Sequence, residues 1–194
     1  MPEVTRIRPQ NDARWLELVS RVPTSVFHSP EWARVLAETY GFEIMANVLL
    51  DEDGTPVAGI AYSVVEDVWR ARIASLPFSD YCDPIVADPG QWDAIVQPLL
   101  RQGLPLNLRC LENSIPLADM RFGRFGHALW HGLDLRPGTS ELWEGLKSSA
   151  RRAIHSGEKS GVSVRVADSI EALGTARANE SIEGYIGSGF PPIY

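Results

Sequence analysis

The stretch FEIMANVLLDEDGTPVAGIAYSVV, residues 42–65, decides the fold. Phe42 to Leu50 is mostly apolar, Asp51-Glu52-Asp53-Gly54 has turn chemistry, and Val57 to Val65 is again rich in strand formers, so the segment predicts a β-hairpin. Upstream, Ser29-Pro30-Glu31-Trp32 sets an N-cap serine before a proline at the first helical position and an acid at the positive end of the helix dipole. A helix is expected from Pro30 to Tyr40, with Gly41 as its left-handed terminator. Earlier still, Val4 to Ile7 reads as a short strand. Asn11 or Asp12 can cap a helix carrying Trp15, Leu16, Leu18 and Val19, which Pro23 ends.

Downstream of the hairpin, Arg70 to Leu76 predicts a third antiparallel strand, followed by the loop Pro77-Phe78-Ser79-Asp80-Tyr81-Cys82-Asp83-Pro84. Asp88-Pro89 repeats the cap-then-proline signal before a helical stripe of Trp92, Ile95, Val96, Leu99 and Leu100, kinked at Pro98 and ending by Gly103. Leu104 to Leu111 reads as a buried strand. The sum is a mixed α/β domain in which helices flank a mostly antiparallel sheet. From about Ala128 the pattern restarts: a strand at Leu129 to Leu135, a helix from about Glu141 to Ser160, a strand at Val162 to Val166 and a cap at Ser169. Two domains are expected, 1–127 and a partial second one, 128–194.

The chain of 194 residues is 44% hydrophobic, enough for a real core, and no apolar run approaches the ~18 residues that cross a bilayer. The N-terminus lacks an apolar core behind a basic start, so no secretory signal is expected and a cytoplasmic location follows. A net charge of -7 argues against a whole-surface field for nucleic acid. Cys82 and Cys110 are too few for a disulfide framework and read as buried free thiols. His28, His127, His131 and His155 lack zinc-motif spacing and read as structural or surface residues. No further acid or histidine lies near Asp80 and Asp83 to complete a metal site.

The order of helices and strands matches the acyl-CoA N-acyltransferase (GNAT-like) fold. The blocks Ser29-Pro30-Glu31-Trp32, Leu76-Pro77-Phe78-Ser79-Asp80-Tyr81 and Ser149-Ala150-Arg151-Arg152-Ala153-Ile154, followed by Gly161-Val162, resemble the Fem-type (FemAB) aminoacyltransferases in their order. That resemblance implies two facing acyltransferase-like domains and transfer of an aminoacyl group to an amine on a peptidoglycan precursor. The segment Gly189-Phe190-Pro191-Pro192-Ile193-Tyr194 ends the sequence where similar proteins continue into the second domain's sheet, so a truncated second domain is expected.

The expected helix from Glu141 to Ser160 puts Leu142, Leu146, Ala150, Ala153 and Ile154 on one face and Lys147, Arg151 and His155 on another. Arg151 or Arg152 could hold a diphosphate, because a guanidinium offers paired donors to phosphate oxygens. A solvated basic face explains the same residues. By the resemblance, this helix is the phosphate contact for a diphosphate-containing cell-wall precursor. Arg34 is a second basic candidate and an ordinary exposed arginine its alternative. In the loop after the third strand, Asp80 or Asp83 could take a proton from an attacking amine, Tyr81 could hydrogen-bond the leaving group, and Ser79 could contact substrate. A capped turn accounts for the same residues. The donor is expected to be aminoacyl-tRNA or acyl-CoA, with no bound cofactor. The stretch Ile85-Val86-Ala87-Asp88-Pro89-Gly90-Gln91 offers one glycine, a proline without an amide hydrogen and a repelling aspartate, which disfavours acetyl-CoA at that helix start. A non-catalytic precursor-binding or partner module and a small-molecule N-acetyltransferase are the competing readings, with tRNA and a homo- or hetero-oligomer as further candidate partners.

Overall fold

In a computed structural model, which describes residues 3–66, 70–127 and 129–163, the hairpin forms as β2 (Ile44–Leu50) and β3 (Pro56–Glu66). The turn closes because Asp51 Oδ1 accepts from the amides of Asp53 and Thr55, and Gly54 takes φ 79, a conformation cheap only for glycine. β1 (Glu3–Ile7) pairs antiparallel with β2, and β4 (Ala71–Ala74) antiparallel with β3. β5 (Leu106–Asn107) then joins β4 in parallel, giving the order β1-β2-β3-β4-β5.

Both faces of this sheet are covered, which is why β2 and β3 read as nearly continuous apolar runs. Ile44, Ala46 and Val48 of β2 pack on one face with Trp15 and Leu18 of α1 (Ala13–Ser20) and Ala33 and Leu36 of α2 (Pro30–Tyr40). Leu49 of β2 and Ala58, Ile60 and Tyr62 of β3 alternate to the other face, against Trp92, Ile95, Val96 and Leu99 of α3 (Pro89–Leu100). Residues 3–127 are thus a mixed α/β unit, a mostly antiparallel five-stranded sheet between helices, as the sequence predicted.

The caps follow the sequence signals. Asp12, not Asn11, caps α1 by accepting the Arg14 amide, Ser29 Oγ accepts from Trp32 N at 3.1 Å, and Gly41 ends α2 at φ 72. α3 runs through Pro98, which has no N–H to return to the previous turn; nearby, buried Asn47 donates to the Ile95 carbonyl at 3.0 Å. β4 and β5 are shorter than the predicted 70–76 and 104–111. The amide of Arg109 is taken by Ser75 Oγ at 2.9 Å instead of a backbone carbonyl, and the ladder stops. A 3-10 turn at Val26–His28 and the short α4 (Ser114–Leu117) were not anticipated.

The chain divides into two compact units, 1–127 and 128–194. In the second, the predicted single helix is two: α5 (Thr139–Gly145) and α6 (Ser148–Lys159). Leu146 and Lys147 are extended, with ψ 140 and 143, so the expected row of Lys147, Arg151 and His155 is broken and Lys147 becomes the N-cap of α6. Gly145, a weak helix former, ends the first segment, and the Trp143 and His155 rings meet edge-to-face at 5.4 Å across the break. Residues 129–135 form no strand, nor do Val162 and Ser163. The rest of the predicted strand to Val166, the cap at Ser169 and the segment Gly189 to Tyr194 lie outside the described residues. Among the described residues, no helix is long and apolar enough to cross a membrane.

Candidate functional site

Beyond β4 the chain enters residues 75–88, an irregular segment fixed by side-chain hydrogen bonds instead of ladder pairs. Ser79 is buried: its Oγ accepts from Trp32 Nε1 at 2.8 Å and donates to the Pro77 carbonyl at 3.3 Å, while its own carbonyl accepts from Arg109 Nη1 at 3.0 Å. Asp83 accepts from three successive backbone amides, Leu111, Glu112 and Asn113, at 2.8 to 3.1 Å. Asn113 Nδ2 donates to the carbonyls of Pro84 and Val86. Ile85 exchanges both backbone bonds with Gly59 of β3 at 2.9 and 2.8 Å, so the segment returns to the sheet along the stretch of β3 that β4 leaves unpaired.

This arrangement leaves a cleft of about 470 Å³. Its walls are apolar at Val22, Val57, Ile85 and Val86, and its polar side chains are Thr24, Ser25, His28, Tyr81, Asp83, Glu112 and Asn113. His28 is buried at 4% exposure. Its Nδ1 accepts from the Ser25 amide at 3.3 Å and lies 3.1 Å from Ser25 Oγ, so the ring proton sits on Nε2, which donates to the Asp83 carbonyl at 2.8 Å. Trp15 Nε1 donates to the His28 carbonyl at 2.7 Å, tying this wall to α1. The Tyr81 ring meets Phe27 edge-on at 5.6 Å.

Of the residues picked out in the sequence, Tyr81 and Asp83 line the cleft. Asp80 is exposed and does not, and Ser79 lies beneath the loop with its hydroxyl engaged. Arg34 is exposed on α2, its Nη2 donating to the Gln10 carbonyl at 3.3 Å. Arg151 and Arg152 lie on α6 of the second unit, half-buried and exposed, without a hydrogen-bond or ion-pair partner among the described residues. Ser25, His28, Glu112 and Asn113 were missed as site residues: they reach the cleft through tertiary contacts that no local motif announces. The Ser25-x-x-His28 spacing was the one signal present.

Burial, with Asp83 nearby, pushes the Cys82 thiol far up, and the same causes raise Cys110 to about 12. Both are unreactive as thiolates at neutral pH. Among the described residues no three His, Cys, Asp or Glu side chains come together to hold a metal ion. At the start of α3, Asp88 Oδ1 accepts the Gln91 amide at 2.9 Å, its carbonyl accepts from Trp92, and Pro89 has no amide hydrogen. The Gln91 side chain reaches back to the Ala87 amide at 2.8 Å, closing the cap in the other direction.

No family model matches the sequence, and no curated protein does. Among solved structures, the chain is similar to an aminoglycoside antibiotic 6'-N-acetyltransferase from Acinetobacter baumannii, at 12% identity and TM-score 0.43, with 70% of this chain and 99% of that one covered. It is similar also to a protein from Pyrococcus furiosus described as an acetyl transferase, at 18% identity and TM-score 0.34, with 69% and 100% covered. Likeness of this degree leaves the function to be argued from the site.

Proposed function

We propose that the chain is an N-acyltransferase whose amine acceptor enters the cleft walled by residues 22–28 and 81–87. The observation that carries this reading is the cleft itself: a cavity of small-molecule size, placed beside β3 where β4 has ended, with the Tyr81 phenol and two carboxylates in its lining. The nitrogen lone pair of the amine attacks the acyl carbonyl carbon, and the bond from that carbon to the donor's heteroatom breaks. Tyr81 supplies a proton or hydrogen bond to the departing group, and Glu112, exposed at the cleft, accepts the proton lost by the amine. Asp83 is less available to the amine, because its oxygens already accept from three amides. Asp80, exposed outside the lining, is the second carboxylate to test.

The blocks that resemble Fem-type enzymes make an amine of a peptidoglycan precursor one acceptor, and the volume of the cleft makes a small free amine another. The test is an assay of the purified chain with aminoacyl-tRNA and acyl-CoA donors against both acceptor classes. Turnover that falls about a hundredfold in Tyr81→Phe, with unchanged circular dichroism, is the expected result. Absence of turnover with every donor at stoichiometric enzyme would overturn the reading.

Arg151 and Arg152 favour a second reading, a module that binds a diphosphate-containing precursor without transforming it, since neither guanidinium has an anionic partner among the described residues. Salt-sensitive binding that the double alanine variant abolishes is its signature.

A further inference from the structure

We infer that the cleft selects a small organic cation, an ammonium group on an apolar body, over an anionic group, which favours the small free amine over the diphosphate-containing precursor as the acceptor. This names the substrate class of the proposed transferase's acceptor and rests on that reading only for the chemistry that follows binding.

The inference comes from counting which polar groups of the lining are already spent. His28 offers nothing: Nε2–H donates to the Asp83 carbonyl and Nδ1 accepts from Ser25. Asn113 spends its amide hydrogens on the Pro84 and Val86 carbonyls. Thr24 Oγ1 lies 3.5 Å from the Val19 carbonyl, to which it donates. Ser25 Oγ lies against His28 Nδ1, and since that nitrogen carries no proton the hydroxyl hydrogen turns to it. The side-chain donors of His28, Asn113 and Ser25 are therefore engaged within the protein and that of Thr24 is held by a long contact, while the Tyr81 phenol is the donor that the proposed reaction uses on the departing group.

The acceptors are not. Asp83 Oδ1 takes three amides, but Oδ2 takes only the one from Leu111 at 3.1 Å. The Glu112 carboxylate is exposed, with no partner among the described residues, and the Ser25 and Thr24 hydroxyl oxygens keep lone pairs. Among the described residues, no lysine or arginine lines the cleft. A cavity with two carboxylates, surplus acceptors and no cation needs a ligand that brings hydrogens and positive charge, and it repels an anion. The apolar wall of Val22, Val57, Ile85 and Val86 gives the ligand's carbon body a surface to bury. The volume of about 470 Å³ suits a small molecule.

Three probes of one shape and different charge separate the alternatives: 2-phenylethylamine, 2-phenylethanol and phenylacetate, with inorganic pyrophosphate as a fourth. Each is titrated into the full chain and followed by amide NMR shifts and calorimetry. The amine is expected to bind about tenfold or more tighter than the alcohol, the equivalent of one charge-assisted hydrogen bond, and to move the amides of Val57, Ile85 and Val86. Phenylacetate and pyrophosphate should leave those amides in place. Glu112→Gln should weaken the amine severalfold and leave the alcohol unchanged. Equal affinity of alcohol and amine, tighter binding of either anion that moves the amides of Val57, Ile85 and Val86, no amine binding, or amine-induced shifts that map elsewhere would each overturn the inference. Amine binding without turnover in the donor assay leaves the cleft's selectivity standing and removes the transferase, whereas turnover without these shifts does the reverse.

Discussion

At Asp119 several donors converge on one carboxylate. Arg121 reaches it through Nε, Nη2 and its own amide at 2.7 to 3.0 Å, and Trp92 Nε1 donates from α3 at 2.8 Å. Arg121 Nη1 also bonds Asp93 Oδ1 at 2.7 Å, so the segment after α4 is strapped across the outer side of α3. The Arg121 side chain first, then its amide and the Trp92 indole, outweigh burial and hold the Asp119 carboxyl at about 2 against an ordinary 3.8. A carboxyl whose folded value lies below its unfolded one stabilises the fold above the unfolded value and loses that contribution as pH falls towards the folded one. The advantage of the native chain over Asp119→Asn in urea denaturation should therefore be full at neutral pH and shrink as pH falls from 3.8 towards about 2. A gap independent of pH across that window would show that Asp119 acts through shape alone. Legibility at this scale was partial. Asp83 stood out in the sequence as an acid in a loop after a strand, but its partners, the amides of residues 111–113, follow 28 to 30 positions later and have no side-chain signature. The same distance hid Glu112 and Asn113.

Among elements, the contact between α1 and β3 does most to connect the fold with the cleft. Gly59 is where they meet: a Cβ there would stand 2.7 Å from Leu18 Cδ2 and 2.9 Å from Trp15 Cζ3. Leu18 can turn its methyl away, but Trp15 is buried and pinned through Nε1 to the His28 carbonyl. Gly59→Ala should cost about 1–3 kcal/mol in chemical denaturation, the usual scale for overpacking a core. It should also disturb the cleft, because Trp15 holds His28 and Gly59 itself pairs with Ile85. An alanine variant as stable as the parent, with unmoved amides at residues 25–28 and 85–86, would break this link. Elements were the most legible scale: the hairpin, α2 and α3 came from turn residues and caps, whose physics is local. What failed was the parallel β4–β5 pairing length, set by the Ser75 side chain, and the helix of 141–160. There, apolar spacing alone hid the extended Leu146 and Lys147.

Across the whole molecule, stability is unevenly distributed. Both apolar clusters, one on each face of the sheet, draw every member among the described residues from residues 4–122. Neither α5 nor α6 has a buried residue, and Leu129, Leu133 and Leu135 are 88%, 71% and 72% exposed. Helices of 7 and 12 residues are marginal in water without a packed face, since isolated helices begin to persist only at ~12–15 residues. Since unfolding cooperativity comes from the packed core, the chain shortened to residues 1–127 should keep a single thermal transition with a midpoint within a few degrees of the full chain. A peptide of residues 129–163 should by contrast show little helical circular dichroism. Loss of the transition in the shortened chain would mean that the second unit supplies stability that the two clusters lack. Its survival, together with amine-induced shifts at Val57, Ile85 and Val86 in that shortened chain, would place selection of the acceptor entirely within the first unit.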